Sequence, residues 1–148
     1  MTIELLTPRQ AHDAVTAIEG DAKPLILDVR TEGEFHAGHP QGALNVPAFV
    51  PGIFGKQLNE AFVEVVEANV AVERPVYCLC AAGVRSQFAA ELLAQAGYRH
   101  VANILAGYEG GYSPSGEWIE GWLAGGLPVC HEPPPDACYP VLRARSRR

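Results

Sequence analysis

The sequence predicts an α/β domain with a mainly parallel sheet flanked by helices. Three observations predict it. Short apolar runs at Leu25–Val29, Val76–Leu79 and Val101–Leu105 alternate with stretches of helical periodicity. The Leu25–Val29 run shows no apolar–polar alternation, as in a strand buried on both faces of a parallel sheet. Asp28 sits near the C-terminal end of that run, where open α/β sheets place their ligands, and Cys80 directly follows another run.

At 148 residues the chain is long enough for one domain with a substantial core. With 48% hydrophobic and 19% charged residues, the composition is that of an ordinary soluble globular protein. The formal net charge of −6 is unevenly spread. All 17 acids lie at or before Asp136, whereas Arg143 to Arg148 carries only basic charge. An acidic body argues against nucleic acid as the main partner. No apolar run has the length of a membrane span, and Met1–Gln10, with Glu4 and Pro8, lacks the core of a secretory signal. A cytoplasmic location with reduced thiols is expected. Cys78, Cys80, Cys130 and Cys138 match no strong zinc spacing, so neither metal nor cofactor is expected.

Taken in order, Ile3–Leu6 reads as a short strand. Thr7-Pro8-Arg9-Gln10 opens a helix: Thr as N-cap, Pro at N1 and Gln completing a capping box. That helix is expected to reach about Glu19, with Ala11, Ala14, Val15 and Ile18 inward and Gly20 as the stop. Leu25–Val29 follows as a buried strand. Pro47–Gln57 reads as a Gly/Pro-punctuated loop whose Phe49 and Phe54 either pack beneath it or wall the mouth of a site. Asn59 is expected to cap a helix from Glu60 to about Val70, with Phe62, Val65, Val66 and Val70 inward.

Pro75 opens the strand that leads to Cys80, a position where strands tolerate Pro. Cys78, two residues earlier, shares a face with Cys80 and reads as a small buried hydrophobe. Phe88, Leu92 and Leu93 continue at helical spacing to a stop at Gly97. Between strand and helix lies Ala81-Ala82-Gly83-Val84-Arg85-Ser86. The first amides of a helix lack partners, and the macrodipole adds positive character there. Small residues let those amides curl into a nest for an anion. A thiol in such a nest is favoured as the thiolate, and Arg85 adds a permanent cation. Ser86 either donates a hydrogen bond to the bound anion or simply caps the helix.

Cys80 to Ser86 resembles the active-site loop of the rhodanese family of sulfurtransferases. The six residues from Cys80 through Arg85 match the rhodanese length. The related cell-cycle phosphatases carry a loop one residue longer, which accommodates phosphate. Asp28-Val29-Arg30, Glu34-Phe35, Gly38-His39 and Gly42–Pro47 resemble a second signature of the family, with Pro40-Gln41 as a departure that alters a turn. Trp122, read as core, and Leu127-Pro128-Val129 resemble its ending.

The resemblance implies a rhodanese-like three-layer domain over residues 1–129; beyond Val129 it stops, and composition gives a Pro-rich, basic C-terminal tail over 130–148, expected to be extended and disordered. It implies transfer of a sulfane sulfur through a Cys80 persulfide. The donor would be a small anion such as thiosulfate, and the acceptor cyanide, a thiol or a carrier protein, with no nucleic acid and no membrane. Ala81, Ala82, Gly83, Val84, Arg85 and Ser86 would hold the persulfide. Asp28, Arg30 and Glu34 would support the loop, Glu34 or Asp28 by pairing with Arg85. His39 reads as a turn residue, not a general base, and Cys130 and Cys138 as inert. Tyr108, Tyr112 and Trp118 are candidates for a pocket rim. Ala81, Ala82 and Val84 leave the loop one cation, so thiosulfate is expected to bind weakly. A noncatalytic binding module and a thiol-based phosphatase or arsenate reductase are the alternatives.

Overall fold

The computed structural model describes residues 3–147, so Arg148 of the basic tail lies outside it. The chain runs β1 (Glu4–Leu6), α1 (Pro8–Ala17), β2 (Leu25–Asp28), α2 (Glu32–Ala37), β3 (His39–Pro40) and β4 (Leu44–Asn45). It continues through β5 (Phe49–Gly52), β6 (Gly55–Leu58), α3 (Phe62–Asn69), β7 (Val76–Leu79), α4 (Val84–Gln95) and β8 (Val101–Ile104). The last elements are β9 (Gly111–Tyr112), β10 (Trp118–Ile119), β11 (Val129–Cys130) and α5 (Tyr139–Arg145). The central sheet has the order β1-β8-β7-β2-β4, and every pairing in it is parallel. β7 and β2 lie inside the sheet, so both their faces need cover.

That cover gives three layers. Leu25, Leu27, Val76 and Cys78 point to one face, where Phe62, Val65 and Val66 of α3 and Ala89, Ala90 and Leu93 of α4 close over them. Ile26, Leu79 and Ile104 point to the other, against Ala11 of α1, Phe35 of α2 and Trp122. Trp122 is core, as expected, and its indole N–H donates to the Pro128 carbonyl at 2.8 Å.

The capping box at Thr7 forms as read. The Gln10 N–H donates to the Thr7 hydroxyl at 3.2 Å, and the Thr7 N–H to the Gln10 side chain at 2.9 Å. α1 ends at Ala17, however. Ile18 takes extended backbone and is exposed, so Pro8 and Ala11 carry the buried face. α3 starts at Phe62, later than expected. Asn59 accepts from the Ala61 N–H through its side chain and from the Phe62 N–H through its carbonyl, which holds the chain one turn ahead of the helix.

Residues 47–57 are not an irregular loop. β5 and β6 pair antiparallel as a hairpin, closed where Gly55 takes a φ of +105°. Phe49 packs on Phe88 with ring centroids 5.8 Å apart, while Phe54 sits at the tip, fully exposed. Tyr112 and Trp118 form no pocket rim here. They pack on each other across the β9–β10 hairpin, centroids 5.1 Å apart.

The tail is also folded. β11 pairs with β3, a 3-10 turn over Pro135–Ala137 redirects the chain, and α5 packs on α3. Leu142 is fully buried in the core beside α3, and the Asn69 side chain donates to the Leu142 carbonyl at 3.0 Å. A Pro-rich composition suggests extended chain. Here the prolines shape one turn, and Pro140 falls in the first turn of α5, where its missing N–H costs nothing. Among the described residues, no helix is long and apolar enough to cross a membrane.

The packing of α5 has a measurable consequence. Leu142→Ala empties a closed site and is expected to cost about 3 kcal/mol in urea unfolding. Arg147→Ala, on the exposed end, should change stability by less than about 0.5 kcal/mol.

Candidate active site

β7 delivers Cys80 to the C-terminal edge of the sheet. Gly83 then takes a left-handed backbone, φ +102°, which lets the chain fold under itself and begin α4 at Val84. The result is a cup around one sulfur. The Gly83 N–H donates to Cys80 Sγ at 3.1 Å, the Ser86 N–H at 3.3 Å, and the Ser86 hydroxyl lies 3.2 Å away. The amides of Ala81, Ala82, Val84 and Arg85 are not donors to this sulfur. Two amides and one hydroxyl thus face the Cys80 sulfur itself. The N–H groups of Ala82, Val84 and Arg85 bond no backbone carbonyl among the described residues. Cys80 itself is 1% exposed, at the floor of the cup.

The outer side of the loop is held by the turn after β8. The Tyr108 N–H donates to the Cys80 carbonyl at 2.8 Å, and the Glu109 N–H to the Ala81 carbonyl at 2.9 Å. Gly107 makes this approach possible, because a Cβ there would overlap the Cys80 carbonyl oxygen.

Arg85 pairs with Glu34, one of the two acids proposed for it. Nη1 donates to Oε1 at 2.9 Å and Nη2 to Oε2 at 3.1 Å, a two-pronged contact. Glu34 is itself fixed by the capping box of α2, accepting from the Thr31 N–H and hydroxyl at 3.1 Å each. Desolvation pushes the Glu34 carboxyl up, but the bonds from Arg85 and Thr31 outweigh it and hold it near 2.

Asp28 does not reach Arg85 by a hydrogen bond or ion pair. It binds Arg30, with Nη2 to Oδ2 at 2.8 Å, and both residues are buried. Arg30 also donates to the Gly38 carbonyl at 2.7 Å and lies 4.3 Å above the Tyr108 ring. The pair thus braces β2 against the turn that clamps the Cys80 loop. Burial pushes the Asp28 carboxyl up, and Arg30 opposes this. His39 is buried, stacks on Phe35 at 3.7 Å and donates from Nδ1 to the Phe35 carbonyl at 2.7 Å. Burial pushes its imidazole down, and the residue lies in the β3–β11 pairing, packed on Phe35. Burial likewise pushes the Cys78 thiol up.

The tail thiols are held away from any free swing toward the cup. Cys130 lies in the β11–β3 pairing, and Cys138 precedes α5 beside His36 of α2. Asn103 of β8 escaped the sequence reading. A lone amide in the run Val-Ala-Asn-Ile was the signal, since buried amides need designed partners.

Residues 10–113 match the family model described as Rhodanese-like domain. The chain belongs to the rhodanese-like family. Thiosulfate sulfurtransferase 16, chloroplastic, of Arabidopsis thaliana is 35% identical over 103 residues, covering 70% of this chain and 77% of that protein. Protein HIGH ARSENIC CONTENT 1, mitochondrial, from the same plant is 32% identical over 132 residues, 85% of this chain and 74% of that protein. The crystal structure of Rv0390 from M. tuberculosis matches with a TM-score of 0.71 and 28% identity, covering 89% of this chain and 100% of that one. The parallel sheet between two helical layers is thus the rhodanese-like fold, and the cup around Cys80 stands at its C-terminal edge.

The Glu34–Arg85 pair sets a pH dependence. A carboxyl depressed from 4.5 to about 2 on folding stabilises the folded state above its unfolded value and loses that contribution as pH falls toward 2. The stability gap between wild type and Glu34→Gln should be widest above pH 5 and shrink toward pH 2, followed by urea midpoints across that range.

Proposed function

We propose that this rhodanese-like domain is a sulfurtransferase that carries a sulfane sulfur on Cys80. One observation carries the reading: two amide donors, with a serine hydroxyl in reach, converge on a single buried sulfur, with no acid or base side chain required beside it. Donors aimed at Sγ favour its anionic form, and a thiolate is its own nucleophile. The thiolate attacks the outer sulfur of thiosulfate, an S–S bond forms to Cys80, and the old S–S bond breaks with sulfite as leaving group. Cyanide or a thiolate then attacks the outer sulfur, and Cys80 leaves as the thiolate. This is covalent, two-step chemistry. The unbonded N–H groups of Ala82, Val84 and Arg85 are suited to receive the charge of the outer sulfur.

The substrate class follows from charge. Arg85 is engaged at both prongs by Glu34, so the loop offers little net positive charge to a doubly charged anion. We therefore favour a persulfide, donated by a small thiol or by a protein, over thiosulfate as the efficient donor. A reducing compartment such as the cytoplasm suits four free thiols.

Intact mass after incubation with thiosulfate or glutathione persulfide tests the reading. The wild type should gain the mass of one sulfur and lose it on adding cyanide, with thiocyanate appearing, while Cys80→Ser should gain none at that position. No adduct from any donor would instead favour a binding module. Turnover of a phosphate ester would favour the phosphatase alternative.

A further inference from the structure

Asn103 stands 3% exposed on β8, directly behind the cup. Its amide orientation is determined by its partners. Nδ2 donates to the Gly83 carbonyl at 3.1 Å, an acceptor that carries no proton, and to the Gln87 side-chain oxygen at 3.1 Å. Oδ1 must then be the atom that faces Ser86, 2.6 Å from its hydroxyl. The same hydroxyl lies 3.2 Å from Cys80 Sγ. A serine hydroxyl has one proton and two lone pairs. While Asn103 takes that proton, Ser86 can only accept from the sulfur, which suits a neutral S–H. When the sulfur is negative the hydroxyl must turn and donate to it, leaving Asn103 Oδ1 without that bond. The S–H proton leaves to solvent in the process.

We propose that Asn103 is a positioning residue that acts through the Ser86 hydroxyl to set the balance between the neutral and anionic forms of the Cys80 sulfur. The proposal rests on Cys80 being the reactive sulfur, but not on which donor loads it. The other charged and titratable groups on the elements packed against that sulfur are the Arg85–Glu34 pair from α4 and α2, Asp28 with Arg30 from β2, Cys78 on β7, and Tyr108 and Glu109 on the turn after β8. All are unchanged in the variants below.

The test reads the thiolate directly, through its ultraviolet absorbance as a function of pH with the Cys80→Ser protein subtracted. Failure of sulfur transfer therefore leaves it interpretable. Asn103→Ala frees the hydroxyl to donate to sulfur, so the thiolate should appear about one pH unit lower, a tenfold change in the thiolate-to-thiol ratio. In a Ser86→Ala background the same substitution should produce no displacement. A displacement to higher pH, none at all, or an equal one in both backgrounds would overturn the proposal, because loop support alone does not require Ser86. Should Asn103→Ala fail to fold, the side-chain carbonyl carbon of Asn103, followed by NMR, decides. It should shift together with the thiolate absorbance in the wild type and remain still in Ser86→Ala. A silent carbon in the wild type, or an equal shift in both proteins, overturns the proposal.

Discussion

The site depends on a constraint of the peptide unit: a loop that turns N–H groups inward must turn carbonyls outward. Buried carbonyls without partners are costly, so a nest of amides is stable only where something accepts the other side of the bargain. Here the turn after β8 supplies it. The Tyr108 and Glu109 N–H groups meet the Cys80 and Ala81 carbonyls, and the Asn103 side chain meets that of Gly83. With its outer carbonyls occupied, the loop can hold the Gly83 and Ser86 amides on one sulfur. Gly107 is essential to this for a steric reason, since its backbone lies against the Cys80 carbonyl.

The ion pairs serve that geometry more than they serve stability. A buried pair such as Asp28–Arg30 gains little net free energy once desolvation is counted. Its value here is connection: Arg30 ties β2 to the Gly38 carbonyl and to the face of Tyr108, whose N–H clamps the loop. Glu34–Arg85 ties the loop to α2 from the other side. The second pair also removes most of the positive charge that Arg85 would have offered to a ligand. Its guanidinium therefore acts on loop shape first and on attraction second.

Much of this was legible in the chain because it rests on local rules. The capping box at Thr7, the strand burial at Leu25–Asp28 and the strand–loop–helix around Cys80 each follow from residues close in sequence. The hairpin at 49–58 and the docking of α5 were not legible for the opposite reason. Pro51, Pro133 and Pro134 read as breakers in isolation, and only pairing or burial, as with Leu142 beneath α3, shows that Pro51 sits in a paired strand and that the tail prolines lead into an ordered turn. Choosing Glu34 over Asp28 as the partner of Arg85 likewise needed coordinates, because both carboxylates lie about fifty residues away along the chain. Asn103 gave only a partial signal: one amide in an apolar strand marks a buried polar group but does not name its partners, and Gly83, Ser86 and Gln87 are remote in sequence.

The depth of Cys80 bears on how the proposed transfer is divided. Cys80 is 1% exposed as a residue, so on the proposed reading its sulfur is reached by a donor that presents its reactive atom at the end of a narrow projection. A sulfane sulfur on thiosulfate or on a persulfide has that shape, whereas a sulfur buried in a folded partner does not. Once loaded, the situation reverses. On the proposed reading an outer sulfur would stand about 2 Å from Sγ, the length of an S–S bond, and so clear of the buried thiol position. Unloading therefore demands less access than loading. On the proposed reading, a cup of this depth discriminates among donors by shape while leaving the acceptor side comparatively permissive.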